Sequence, residues 1–86
     1  YKISDNLKSV MKKLAKKDNR LYEQLLRKID EIISCEDIDH YKNLRYGLKD
    51  SKRVHIGHFV LVFQYNKKEN EILFDDFDHH DVIYTK

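Results

Sequence analysis

The clearest structural signal in the sequence is the run Arg53-Val54-His55-Ile56-Gly57-His58-Phe59-Val60-Leu61-Val62-Phe63. Its first four residues alternate polar and apolar side chains, as expected for a strand that buries one face. Gly57-His58 can turn the chain, and the β-branched and aromatic residues 59–65 suit a second strand. Polar residues 66–70 separate that strand from Ile72-Leu73-Phe74, where the apolar pattern resumes. The C-terminal half is therefore predicted to be a meander of three antiparallel strands.

The N-terminal half has helical periodicity instead. Apolar residues repeat at helical spacing in two segments, which predicts helices over residues 5–17 and 20–34. Ser4 can cap the first helix, and Asp5 is favourable in its first turn. The short break between the segments makes the two helices antiparallel neighbours. This half is predicted to be a helical hairpin.

The two halves cover each other's apolar surfaces, which predicts an α+β fold: an N-terminal helical hairpin packed on an antiparallel β-sheet meander. With 86 residues, the chain is expected to form one domain over 1–86. Residues 35–42 lack a sustained period and are predicted to be a loop, and residues 1–3 suit the end of another strand at a sheet edge. The predicted core residues are Leu7, Val10, Leu14, Leu25, Ile29, Ile32, Val54, Ile56, Leu61, Phe63, Ile72 and Phe74.

Composition excludes some classes of protein. The longest apolar run, 59–63, is far shorter than the ~18 residues of a membrane-spanning helix, so no membrane role is expected. The lone Cys35 forbids an intramolecular disulfide and suits a reducing, cytoplasmic location. Residues 1–34 carry nine Lys/Arg against five Asp/Glu, whereas residues 71–86 carry one against five. This asymmetry permits a basic face for a polyanion.

Three short motifs follow the helical hairpin in a recognisable order. Leu44-Arg45-Tyr46-Gly47 precedes the first strand, a basic-apolar-basic-apolar-Gly segment fills 53–57, and Asp78-His79-His80-Asp81-Val82-Ile83-Tyr84 closes the chain. Together they resemble the RelE/ParE toxin superfamily, most of all a RelE-type mRNA interferase. The resemblance covers nearly the whole chain.

The resemblance implies a toxin of a type II toxin–antitoxin pair, held inactive by a cognate antitoxin. RelE-like members cut messenger RNA in the ribosomal decoding site, whereas ParE-like members inhibit DNA gyrase. In RelE-like cleavage the RNA 2′-hydroxyl attacks the adjacent phosphate without a metal, and DNA lacks that nucleophile. The resemblance therefore implies a metal-independent endoribonuclease without cofactor, with the ribosome and mRNA as further partners.

Such cleavage needs a cation for the phosphate, a base for the 2′-hydroxyl and an acid for the departing oxygen. Arg53 and His55 lie two apart on a predicted strand, so both face the same side of the sheet. Arg53 matches the family's first basic strand position and would hold phosphate oxygens, whereas His55 occupies the second, where a Lys or Arg is more usual. His80 falls where the family places an arginine or histidine, and Tyr84 matches the family's closing tyrosine, which contacts RNA. The predicted catalytic residues are Arg53, His55, His80 and Tyr84.

Further basic residues could extend the phosphate-binding surface. The predicted RNA-binding residues are Arg45, Lys49, Lys52, His58 and His79. A stripe opposite the apolar face of the helices adds Lys8, Lys12, Lys13, Lys16, Lys17 and Arg20. Solvation of a polar surface is the alternative interpretation of these residues.

One departure from the family puts catalysis in doubt. The family's strand after the Gly turn begins aromatic-arginine, but here the residues are Phe59-Val60. Either His55, His58 or His80 replaces that arginine, or catalysis is weak or lost; a one-residue slip in strand register would bring His58 nearest the position. The alternative function is a non-catalytic binder, such as a ParE-like gyrase inhibitor or a degenerate toxin acting with its antitoxin in autoregulation.

A metal site is a competing interpretation of the acidic, histidine-rich segment 75–81. Imidazoles and carboxylates are legitimate ligands. Consecutive strand residues alternate between faces, however, so these side chains cannot all converge on one ion, and no metal is predicted. The carboxylates would also repel an RNA phosphate, which is awkward for a nuclease.

Overall fold

The structure, a computed structural model, describes residues 1–41 and 51–85. The elements in chain order are β1 (Lys2–Ile3), α1 (Asp5–Lys17), α2 (Asn19–Ile33), a 3-10 turn (Ile38–His40), β2 (Ser51–Ile56), β3 (Phe59–Asn66), β4 (Glu71–His79) and α3 (His80–Ile83). The predicted α+β fold is confirmed, with both helices within a residue of their predicted bounds. The 3-10 turn and α3 were not predicted, and β4 is much longer than its apolar core of 72–74.

The helical hairpin forms around two capping residues. Ser4 caps α1 by accepting a hydrogen bond from the Leu7 amide at 3.0 Å. Asp18 ends α1 by donating its amide to the Leu14 carbonyl, and its carboxylate then accepts from the Leu21 amide at the start of α2. One residue therefore closes the first helix and opens the second, which explains the very short connection.

The sheet has the order β1-β4-β3-β2. The pairs β2–β3 and β3–β4 are antiparallel, as the meander requires, whereas β1 pairs with β4 in parallel. The strand expected at an edge is therefore present, and it makes the sheet mixed. No helix among residues 1–41 and 51–85 combines the length and apolar character needed to cross a bilayer.

A β-bulge in β4 explains why this strand buries two phenylalanines three residues apart. Phe63 pairs with Phe74 and the preceding Val62 pairs with Asp76, so Asp75 is an extra residue in β4. The extra residue restores the alternation, and both Phe74 and Phe77 are buried. The bulge is tied to α1, because the Ser4 hydroxyl donates to the Asp75 carbonyl at 2.6 Å.

The main core lies between the helical hairpin and one face of the sheet. Its buried residues are Leu7, Leu25, Ile29, Ile32, Ile38, Ile56, Leu61, Phe63, Ile72, Phe74 and Phe77. Of the predicted core residues, Val10, Leu14 and Val54 are only partly buried but pack against this cluster. A second, unpredicted cluster of Val60, Val62 and Ile83 shows that α3 covers part of the other face.

Candidate functional site

Strand β2 places Arg53 and His55 on the sheet face opposite the helical hairpin. Arg53 pairs with Val62 and His55 with Val60, and paired residues in an antiparallel sheet share a face. Both valines are buried together with Ile83 of α3. The two basic side chains therefore border a small apolar patch that anchors α3 to the sheet.

Helix α3 brings Tyr84 to these basic side chains. The Tyr84 hydroxyl lies 3.4 Å from His55 Nε2, and Arg53 Nη1 lies 3.1 Å from the same nitrogen. The guanidinium carbon of Arg53 is 5.7 Å from the centre of the Tyr84 ring. We call Arg53, His55 and Tyr84 the basic-aromatic cluster, and it unites three of the four predicted catalytic residues.

The hydrogen-bonding pattern suits a neutral His55 with its lone pair on Nε2, because a guanidinium can only donate. His55 and Tyr84 are exposed, while Arg53 is half-buried. The Nε of Arg53 is itself buried and makes no hydrogen bond within the described parts of the chain. The cluster thus presents a cation, an imidazole and a phenol to a ligand approaching from solvent.

The fourth predicted catalytic residue, His80, lies in a second group at the end of the sheet. Its ring centre is 4.5 Å from that of His79 and 6.3 Å from that of His58, and the rings of His58 and His79 are 6.1 Å apart. We call these three residues the histidine cluster. In residues 1–41 and 51–85, no hydrogen bond or ring contact joins the His80 side chain to the basic-aromatic cluster.

The histidine cluster is assembled by the turn at Gly57 and by a hydrogen bond between that turn and the end of β4. Gly57 has a φ of 60°, a conformation that favours glycine, and turns β2 into β3 at His58. The His80 amide donates to the His58 carbonyl at 2.9 Å, which ties this turn to the end of β4. His79 then caps α3 by accepting from the Asp81 amide at 3.2 Å. His58 is far from His79 and His80 in the sequence, and the contact between the turn and β4 brings it next to them.

The structure corrects the expected place of Lys52. This residue pairs with Phe63, is only 8% exposed, and donates from Nζ to the Tyr41 carbonyl at 3.3 Å. It therefore points to the face opposite Arg53 and does not extend the surface beside it. Burial raises the pKa of the Tyr41 phenol, with smaller contributions from Glu31 and Cys35. Arg45 and Lys49 lie outside the described residues.

Two further features of the site follow from the strand register and from the end of β4. The register of β2 and β3 places His55 opposite Val60, so no slip moves His58 toward that position. Segment 75–81 is not one continuous strand, because the chain turns into α3 at His80. Consequently one ligand atom from each of His79, His80 and Asp81 lies within 4.8 Å of the others, although a continuous strand would have separated these three side chains.

The position that lacks the family's arginine is part of the packing. Val60 is 0% exposed and belongs to the patch beneath α3. Sequence reasoning missed this patch because α3 is only four residues long. The sequence does contain one signal for this patch. Val82 and Ile83 are two apolar residues directly after an acidic segment, which indicates a turn whose apolar side chains pack on the sheet.

Comparison with known proteins identifies the family. The chain is 45% identical over 85 residues to "Putative toxin RelE4" of Methanocaldococcus jannaschii, an alignment that covers 98% of this chain and 88% of that protein. The chain belongs to the RelE toxin family. This RelE-type toxin is also 45% identical over 84 residues to an uncharacterised protein of Methanosarcina mazei, covering 96% of the chain and 95% of the relative. No family model and no solved structure matches the chain.

Proposed function

We propose that this RelE-type toxin is a ribosome-dependent mRNA endonuclease that inhibits translation and is held inactive by a cognate antitoxin. The observation that carries the proposal is the convergence of Arg53 and Tyr84 on the same nitrogen of His55. A cation, a proton acceptor and an aromatic ring at one exposed spot suit an RNA backbone with an unstacked base.

Arg53 would stabilise the phosphate on which charge accumulates. Its guanidinium is a planar fork that matches two phosphate oxygens. The Tyr84 ring beneath the guanidinium limits where Arg53 can point. A donor held in place before reaction is worth more than a mobile one, because it does not reorganise as charge develops.

His55 would accept the 2′-hydroxyl proton on Nε2 once the RNA phosphate has drawn the Arg53 guanidinium away from that nitrogen. The 2′-oxygen then bonds to phosphorus as the bond from phosphorus to the 5′-oxygen breaks. The products are a 2′,3′-cyclic phosphate and a 5′-hydroxyl, so an acid must return one proton to the 5′-oxygen. We assign this acid to His80, which requires the cleaved phosphate to lie between the basic-aromatic cluster and the histidine cluster. His58, His79, Arg45 and Lys49 would contact the flanking RNA.

Translating ribosomes supplied with the toxin test the nuclease. We expect truncated mRNA with 5′-hydroxyl ends, and a 2′-deoxy nucleotide at the cleaved position should abolish the cut. Arg53→Ala should lower the cleavage rate by about 100-fold or more, and Arg53→Lys by less, since lysine keeps the charge but loses the fork. Arg27→Ala, an exposed change on α2, is the control. Intact message at every dose would reject the proposal.

A substrate with a better leaving group tests the assignment of His80. Replacing the bridging 5′-oxygen by sulfur lets the leaving group depart without a proton, so an acid becomes unnecessary. His80→Ala should cut the ordinary mRNA slowly and the sulfur-containing mRNA at nearly the rate of the unchanged protein. His55→Ala should remain slow on both. Equal defects of His80→Ala on both substrates would exclude His80 as the acid.

A non-catalytic toxin is the second candidate, favoured by the environment of Val60. This position is buried, and the residue that pairs with it on β4 is Asp78, whose carboxylate would repel a phosphate. If the toxin acts like a ParE-type gyrase inhibitor, supercoiling by DNA gyrase should stop while translation continues. If only the antitoxin and its promoter respond, neither process should change.

A further inference from the structure

The end of the sheet carries side chains of metal-ligating type, and an ion bound there would compete with the acid role proposed for His80. His80 Nδ1 lies 2.7 Å from Asp81 Oδ1, and His79 Nδ1 lies 3.5 Å from Asp81 Oδ2. The carboxylate therefore lies between two imidazoles, with one oxygen toward each. From these contacts we propose that His79, His80 and Asp81 bind one divalent transition-metal ion.

The bend of the chain makes this convergence possible. His79 is the last residue of β4 and caps α3, while His80 and Asp81 belong to the first turn of that helix. Three consecutive residues of a regular strand would diverge, whereas here the backbone leaves the strand after His79. The three ligand atoms lie within 4.8 Å of one another, so small side-chain rotations would close them around one ion.

The histidine cluster offers a fourth ligand. His58 is exposed in the tight turn, and its ring lies 6.1 Å from His79 and 6.3 Å from His80. These separations exceed the 4.5 Å between the other two rings, so His58 must rotate toward the ion. The hydrogen bond from the His80 amide to the His58 carbonyl already holds the two backbones together. His58 should therefore strengthen binding without being essential to it.

The donor set selects the class of metal. Imidazoles with one carboxylate suit Zn²⁺, Ni²⁺ or Cu²⁺, whereas Mg²⁺ prefers oxygen ligands. Asp81 is 77% exposed in its side chain, so an ion can enter and leave directly from solvent. Residues 71–86 carry five acidic residues against one basic residue, and a bound cation would offset part of this negative charge.

Binding must displace interactions that exist without the ion. The Asp81 amide donates to His79 Nδ1, so coordination through that nitrogen would replace the cap of α3. The 2.7 Å contact between His80 Nδ1 and Asp81 Oδ1 would also have to open to admit the ion. The site is therefore expected to bind reversibly rather than to require metal for folding.

Titration calorimetry of the full chain without an affinity tag tests the site. We expect one Zn²⁺ per chain and no heat from Mg²⁺. Cobalt should give the visible absorption of a low-symmetry four-coordinate ion, a readout that needs neither RNA nor ribosomes. His80→Ala and Asp81→Asn should each weaken binding by about tenfold or more, because even outer-shell partners of a metal site are worth that much. His58→Ala should weaken it less.

His40→Ala is the matched control, because His40 lies elsewhere and its Nδ1 is 3.8 Å from the sulfur of Cys35. Zinc binding should be unchanged in this variant, and circular dichroism of each metal-free variant should show the native fold. The proposal is overturned if His80→Ala and Asp81→Asn bind zinc as well as the unchanged protein. It is equally overturned if His40→Ala abolishes binding, since the ion would then sit at Cys35.

Discussion

The two faces of the sheet are covered very differently. One face lies under α1 and α2, and the described part of the chain contributes eleven buried apolar residues to the cluster between them. Within residues 1–41 and 51–85, the other face is covered by the four-residue α3, whose Ile83 packs on Val60 and Val62. The basic-aromatic cluster borders this thinner cover. The difference indicates that stability comes mainly from the hairpin face, while the opposite face keeps polar groups open to a ligand.

The largest expected effect on stability comes from truncating a side chain buried between the helical hairpin and the sheet. Phe63 is fully buried and packs against the rings of Tyr41 and Phe74. Phe63→Ala should lower the free energy of unfolding by about 3–5 kcal/mol, through lost burial and the cavity left behind. Urea denaturation followed by circular dichroism measures this. Leu26→Ala, at an exposed position, should change it by less than ~1 kcal/mol, and equal losses would contradict the comparison.

The second effect tests whether the family's arginine can be restored. Val60→Arg would place a charge beneath α3, so we expect a loss of about 2–4 kcal/mol and displacement of Tyr84 from His55. Cleavage should fall rather than rise. Gln64→Arg adds the same charge at an exposed position on β3 and should cost at most ~0.5 kcal/mol. A stable Val60→Arg protein with faster cleavage would show that α3 leaves room for the guanidinium.

The third effect concerns the join between the helical hairpin and the bulge in β4. Ser4 both caps α1 and donates to the Asp75 carbonyl. Ser4→Ala should therefore cost about 1–2 kcal/mol, at the upper end for a helix cap, because two hydrogen bonds are lost. Ser9→Ala in the exposed middle of α1 should be neutral or slightly stabilising. Thermal unfolding of both variants compares them directly, and equal melting temperatures would refute the role of Ser4.

The smallest effect on stability belongs to the basic-aromatic cluster. Tyr84→Phe removes an exposed 3.4 Å contact and should change unfolding by less than ~0.5 kcal/mol. Tyr65→Phe loses a similar contact to Asn70 and is its matched control. In the cleavage assay Tyr84→Ala should be slower than Tyr84→Phe, because only the ring can stack on a base. If Tyr84→Phe destabilises the fold as much as Ser4→Ala, the tyrosine is a structural anchor instead.

Much of the fold was predictable because periodicity reports which side of each element is buried. Spacings of 3.6 and 2 residues predict the two helices and the three long strands. The two-residue spacing also places Arg53 and His55 on the same face of the sheet. The prediction for Lys52 was wrong because it did not follow the two-residue alternation along β2. Alternation along β2 already places it opposite Arg53, yet its charge suggested the same surface.

The rest depended on contacts between residues far apart in the chain. A strict two-residue alternation does not predict the bulge at Asp75. The burial of both Phe74 and Phe77, three residues apart on one strand, requires an extra residue between them. A four-residue helix such as α3 has too few turns to show periodicity, so neither the patch around Val60 nor the separation of His80 from Arg53 could be predicted.

Local patterns in the sequence determined the α+β class, the helical hairpin, the meander and the face that carries Arg53 and His55, because side-chain direction repeats regularly within each element. Only the tertiary structure decided that Tyr84 joins those two residues and that His58 joins His79 and His80. Such meetings depend on strand register and on the turn at the end of β4. Those features are set by packing across the sheet rather than by neighbouring residues.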